Sequence, residues 1–204
     1  MHHQFQTIHK WGMNNAESQA AFKQLISKAQ VCGLHNHPQI DEESRSLIKK
    51  ADQERRMLNK REIEAICTQS ATNPRAIHLT IREASRYVES CKQTLHARQP
   101  HLFEEGGALY PTERSDACWR DCWNFLRVAI YAMASDQSQC TDPSGIKAVR
   151  QLFELMNVPI TGMTLALQSL SQLITTDLLK QDHQHEAKCL EKALAHLNGE
   201  LHKG

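Results

Sequence analysis

Between Ser115 and Ala134 the chain reads SDACWRDCWNFLRVAIYAMA, and within four consecutive residues it sets a thiol, a guanidinium and a carboxylate: Cys118, Arg120 and Asp121. Each type has a distinct use. A thiol can form a thioether to a ligand, a carboxylate accepts hydrogen bonds from N–H groups, and the planar fork of an arginine grips a ligand carboxylate with two parallel bonds. On a helix Cys118 and Asp121 are i and i+3 and share a face, with Arg114 one turn earlier on the same stripe as Cys118. A large anionic ligand tethered through the sulfur can therefore meet a carboxylate and two basic groups. Taken alone, the tetrapeptide also reads as a buried thiol beside a solvated Arg-Asp pair.

Rival chemistries have less behind them. Cys118 and Cys122, at i and i+4, lack the second close pair of ligands that structural zinc sites present. His35 with His37, and His183 with His185, are pairs that twelve scattered histidines form by chance. His78 or His96 can be put forward for haem, but neither lies in a supporting motif. No glycine elbow surrounds a nucleophile, and no enzyme is expected. Trp119 and Trp123, on a stripe beside the cysteines, suit packing. Cys189, in HEAKCLEKAL, sits on an amphipathic helix as a buried thiol.

The elements that must position the cluster are helices, because apolar spacing is 3.6-periodic nearly throughout and no alternating strand is evident. Ala21, Phe22, Leu25, Ile26 and Ala29 mark a first helix stopped by Gly33 and Pro38. Asp41 or Ser44 caps the next, through Asp52. Asn59 with Glu62 forms a capping box for Lys60 to Ser70. Asn73-Pro74 opens a long helix, with Ile77, Ile81, Ala84, Val88, Cys91 and Leu95 at intervals of three and four, which Pro100 ends. After a glycine-containing loop and Pro111, taken as a first-turn residue, comes the Cys118 helix. Ser144 caps a helix through Met156, Thr161 to Leu179 form another, and His185 to Leu197 form the last, ended by Asn198-Gly199. The expected fold is all-α, with about eight helices.

A chain of 204 residues suits one buried core. Its net charge of +1, with scattered Lys and Arg, gives no basic stripe for nucleic acid. The longest apolar runs fall far short of the roughly 20 residues that span a bilayer. Seven irregularly spaced cysteines suit a reducing cytosol. The first residues hold no signal-peptide-like apolar segment, so a soluble cytoplasmic protein is expected.

Cys118-x-Arg120-Asp121, followed by Leu126-Arg127 and Tyr131-Ala132, resembles the chromophore-bearing helix of the phycobiliproteins. The resemblance extends to Met57–Ile66, Asn73-Pro74-Arg75-Ala76-Ile77, Gln99-Pro100-x-Leu102, Gly106-Gly107 with Tyr110, Gly145, Leu152-Phe153-Glu154-Leu155 and Val158-Pro159, or about residues 40 to 200. It implies a globin-like phycobiliprotein domain at 39–204, preceded by an N-terminal helical extension and linker at 1–38. It implies as cofactor a phycobilin such as phycocyanobilin or phycoerythrobilin, joined to Cys118 by a thioether. Asp121 would then face the pyrrole nitrogens, and Arg114 and Arg120 the propionates.

The implied function is that of an allophycocyanin-like light-harvesting protein of the phycobilisome; the alternative is a sensor of light colour regulating pigment acclimation, and lesser alternatives are a haem-binding globin or an apo interaction scaffold. Implied partners are a phycobiliprotein subunit or a second copy through the helices near 44–67, a bilin lyase, and a phycobilisome linker or regulatory partner through 1–38. The implied location is the cytoplasm, at the thylakoid face through the phycobilisome. Two departures from the family pattern, the extension and Ala108 where beta-type subunits carry asparagine, point to a specialised paralogue.

Overall fold

A computed structural model of the chain describes residues 16–203. The first fifteen residues of the extension lie outside them. The α-helices among the described residues are α1 (Ala16–Lys28), α2 (Glu42–Gln53), α3 (Lys60–Ser70), α4 (Pro74–Arg98), α5 (Thr112–Ala134), α6 (Pro143–Leu155), α7 (Ile160–Leu179) and α8 (Gln184–Leu201), with short 3-10 turns at Leu34–Asn36 and Pro100–Leu102. The expected all-α fold is what forms.

The centre of the molecule is α5. Its C-terminal half, Phe125 to Ala134, is buried on every side. A helix apolar all round must be wrapped, and α4, α7 and α8 wrap it, with α7 and α8 also packed on each other. Arg127 is the one charged residue in that run. Its Nη1 donates to Asp52 Oδ1 at 2.6 Å and to the Tyr131 hydroxyl at 3.0 Å, and Tyr131 in turn donates to the Arg56 carbonyl. At the end of α5, Ser70 and Thr72 hydroxyls donate to the Ala134 carbonyl at 2.7 and 2.9 Å, satisfying an acceptor the helix terminus leaves open.

Local signals are realised with a few shifts. Asp41 caps α2 by accepting from the Ser44 N–H, and Asn59 with Glu62 forms the full capping box of α3. Pro111 is the N-cap of α5 rather than a first-turn residue. Asp142 caps α6, with Pro143 in its first turn, where Ser144 was expected to cap. The last helix runs through Asn198-Gly199 to Leu201, because Leu201 is 5% exposed and its burial outweighs a local stop signal.

The segment read as a linker is packed into the globule. Cys32 pairs with Thr141 in an isolated antiparallel bridge, Gly33 N–H donates to the Cys140 carbonyl at 2.8 Å, and Asp142 N–H to the Val31 carbonyl at 2.9 Å. Leu34 and Cys32 are fully buried. The approach is so close that a Cβ on Gly33 would lie 2.3 Å from Thr141 O, and one on Gly145 1.9 Å from Gln30 O. α1 lies on α6. Helices α2 and α3, expected to meet a partner, already bury Ile48, Ala51, Ile63 and Ile66 within their own chain.

Candidate functional site

The first half of α5 presents two different faces. Arg114, Cys118, Asp121 and Cys122 fall on one side, as the i, i+3, i+4 spacing requires. Arg120 falls on the other with Asp116, Trp123 and Asn124. The structure therefore unites Cys118, Asp121 and Arg114 on one stripe and turns Arg120 away from Cys118, while its charge still reaches Asp121.

Cys118 is 4% exposed and Cys122 1%. Cys122 donates toward the Met163 sulfur at 3.5 Å. Hydrogen bonding with Cys118 and burial push the Cys122 thiol well above its ordinary pKa, so it stays protonated. Cys91, across on α4, is likewise held at about 12 by burial, its thiol facing the Ala166 carbonyl at 3.7 Å. Three thiols and a thioether thus form a soft apolar patch where α4, α5 and α7 meet.

Asp121 is the anomaly on this face. Desolvation raises its carboxyl from 3.8 to about 6, with Arg120 pulling the other way. Among the described residues it accepts no hydrogen bond and has no ion-pair partner within 4.0 Å. A partly buried carboxylate in that state is costly to ionise unless water or an N–H donor satisfies it.

Arg114 is engaged with the backbone. Its Nε donates to the Ala108 carbonyl at 2.6 Å, and its Nη2 to Met156 O at 2.8 Å and Asn157 O at 3.2 Å. Burial lowers its pKa. The guanidinium thereby ties the loop before α5 to the turn after α6. That loop depends on its glycines: Gly106 has φ +87, and a Cβ on Gly107 would lie 2.3 Å from His101 O.

The remaining candidates are dispersed. His78 Nε2 lies 3.7 Å from Glu64, and the His96 ring stacks on Phe103 with centroids 3.6 Å apart. Asn73 Nδ2 is 3.4 Å from His183 Nδ1. Cys189 is buried, its thiol facing the Ala132 carbonyl at 3.5 Å and held at about 12. Among the described residues no three His, Cys, Asp or Glu gather to hold a metal, and no helix is long and apolar enough to cross a membrane. Sequence reasoning did not assign a role to the Asp52–Arg127–Tyr131 network. Its signal was an arginine inside an otherwise apolar run.

Comparison with known proteins bears on the family and the fold. The phycobilisome protein family profile matches residues 46–197. The chain is 26% identical over 120 residues to allophycocyanin subunit beta-18 of Pyropia yezoensis, covering 54% of this chain and 71% of that one. It is 28% identical over 139 residues to a phycobiliprotein beta chain of Mastigocladus laminosus, covering 65% and 80%. A solved far-red fluorescent biliprotein, derived from a far-red induced allophycocyanin F subunit of the thermophilic cyanobacterium Chroococcidiopsis thermalis, shares the fold. Its TM-score is 0.58 at 19% identity, covering 64% of this chain and 96% of that chain. With three quarters of its length matched by that profile, the chain belongs to the phycobilisome protein family.

Proposed function

We propose that this chain is a bilin-binding chromoprotein that carries a linear tetrapyrrole on Cys118 and absorbs visible light as an allophycocyanin-like member of the phycobilisome. Family membership supports the bilin, and the observation that carries its placement is Asp121: a partly buried carboxylate, one turn from Cys118, with no donor of its own.

When bound, the bilin supplies pyrrole N–H donors, two propionates and a conjugated system that absorbs light. Asp121 is suited to accept from the pyrrole N–H groups, and its charge in a partly dry setting favours their cationic form by Coulomb attraction. Cys118 supplies the sulfur. Its burial means that the chain must open locally to expose the thiol, a step for which a lyase is the natural assistant. Arg114 reaches a propionate by exchanging one of its carbonyl partners, and release of the Met156 or Asn157 carbonyl would loosen the loop at the same moment. Arg120, on the other face, reaches only a propionate that wraps around the helix.

Assembly with another phycobiliprotein subunit is part of this reading. Since the apolar faces of α2 and α3 are already buried, a partner meets their outer sides, and the extension at 1–38 is assigned to a linker or regulatory protein. The test is co-expression with a bilin-producing pathway and a lyase, followed by zinc staining of denaturing gels. Pigment that stays with the chain and disappears in Cys118→Ala supports the reading. Absence of pigment with every lyase class overturns it.

A further inference from the structure

The first turns of α4 face the turn between α7 and α8 across an open cavity of about 590 Å³. Arg75, His78, Leu79 and Arg82 line it from α4, and Asp182 and His183 from the turn. We propose that this cavity is a binding site for a phosphate dianion, free or as the head of a small phosphate monoester. It shares no residue with the Cys118 face and does not depend on whether the chain carries pigment.

Helical spacing sets the cations. Positions 75, 78 and 82 are three and four apart, so they fall on one stripe of α4. Arg75 and Arg82 are both exposed and about 10 Å apart along the helix axis, a span that two extended side chains close over a single anion. Among the described residues Arg75 has no carboxylate within ion-pair distance, its one hydrogen bond being the backbone N–H to Asn73. Arg82 gives its Nε to Glu83 at 3.0 Å, and Glu83 is shared with Arg86 at 2.9 Å. The terminal nitrogens of Arg82 make no hydrogen bond among the described residues.

Two half-buried histidines complete the donor set. His78 Nε2 is shut off from solvent and makes no hydrogen bond, with Glu64 Oε1 at 3.7 Å beyond hydrogen-bond reach. On the opposite wall a neighbour fixes the tautomer of His183. Asn73 Oδ1 accepts from the Arg75 N–H at 3.0 Å, which leaves its Nδ2 at 3.4 Å from His183 Nδ1. An amide NH2 group only donates, so Nδ1 accepts and the ring proton sits on Nε2, where it can be given to a ligand. Two guanidiniums and two imidazoles offer more N–H donors than the two oxygens of a carboxylate take up, whereas the three terminal oxygens of a phosphate group match them. Leu79, 7% exposed, lines the same cavity with carbon, and the volume leaves room for a small organic part beside the phosphate. Asp182 opposes this charge: it is the one carboxylate among the described residues lining the cavity, and it is exposed. Removing it therefore strengthens binding of an anion.

Amide proton–nitrogen NMR spectra of the full chain read the site residue by residue. The probes are inorganic phosphate and phenyl phosphate, each compared with sodium chloride at matched ionic strength. Saturable shifts in the first turns of α4 and in the α7–α8 turn are expected, with a dissociation constant of about 1 mM or below. Arg75→Gln with Arg82→Gln should weaken binding at least about tenfold, as loss of one good charge-assisted pair does. Asp182→Asn should strengthen it about two- to fivefold, the scale of an exposed charge pair, and asparagine tolerates the φ +60 backbone at that position. Tighter binding of phenyl phosphate assigns the site to a monoester with its organic part against Leu79; equal or weaker binding assigns it to free phosphate. Absence of saturable shifts up to about 20 mM, shifts that chloride reproduces, or equal affinity in the double arginine variant overturns the proposal, as does weaker binding in Asp182→Asn. The exchanged side chains are all exposed, and circular dichroism checks that each variant is folded.

Discussion

Arg127 on α5 and Asp52 on α2 form an ion pair at 2.6 Å, with side chains only 6% and 10% exposed, inside one chain. The pair fixes α2 onto the core of its own molecule. Tyr131 completes it, accepting from Arg127 and donating to the Arg56 carbonyl, while Arg56 grips Glu62 with two bonds of 2.7 Å.

Removing one partner leaves the other charge buried. Arg127→Met should destabilise the protein by about 3–5 kcal/mol, the usual cost of an uncompensated buried charge. Adding Asp52→Asn should restore part of that loss, because the orphan charge goes with it. Urea unfolding of both single variants and the double variant checks this. A sum of single losses in the double variant would show that the pair is not coupled.

The close approach at Gly145 and Gly33 makes residues 29–36 part of the globule. Gly145→Ala puts a methyl 1.9 Å from the Gln30 carbonyl, backbone that has to move. A loss of about 1–3 kcal/mol is expected, with limited proteolysis cutting between α1 and α2 much faster than in the parent chain. Unchanged proteolysis would mean that the segment is not held as described.

Asp121 gives a pH signature. Its carboxyl is raised to about 6, so the native state prefers the protonated form and ionisation at higher pH is destabilising. The sign is fixed: the cost is absent below the unfolded value near 3.8, grows as pH rises through about 6, and is complete above it. In the pigment-free protein, Asp121→Asn should therefore stabilise by about 1–3 kcal/mol at pH 8, at about 1.4 kcal/mol per pKa unit with the partial exposure discounted. The gain should vanish near pH 4. Thermal melts at the two pH values decide it; an equal effect at both would mean that the carboxyl is not perturbed.

Much of this could be read before the fold was known, for reasons that are local. The Asn59-Glu62 capping box, the Pro74 start and the Pro100 stop are each specified by a few adjacent residues, and each helix formed where those signals lie. Cys118, Asp121 and Arg114 share a face because helical geometry alone decides that. What was not legible depends on contacts distant in sequence. Gly33 looks like a helix stop and is also a contact point for Thr141; Asn198-Gly199 looks like a terminus until Leu201 finds the core. Arg114 looks free to hold a propionate, whereas it is bound to carbonyls of two loops, one of them more than forty residues away. Adjacent in sequence to Asp121, Arg120 nevertheless belongs to the opposite face.

The most direct test of the central claim is the absorption spectrum and zinc-stained gel of the chain co-expressed with a bilin pathway and a lyase, beside Cys118→Ala and Asp121→Asn. The account predicts covalent pigment on the parent chain, none on Cys118→Ala, and attached but blue-shifted, weaker-absorbing pigment on Asp121→Asn, because the carboxylate that favours the cationic chromophore is gone. Pigment retained on Cys118→Ala, or a spectrum indifferent to Asp121→Asn, would contradict it.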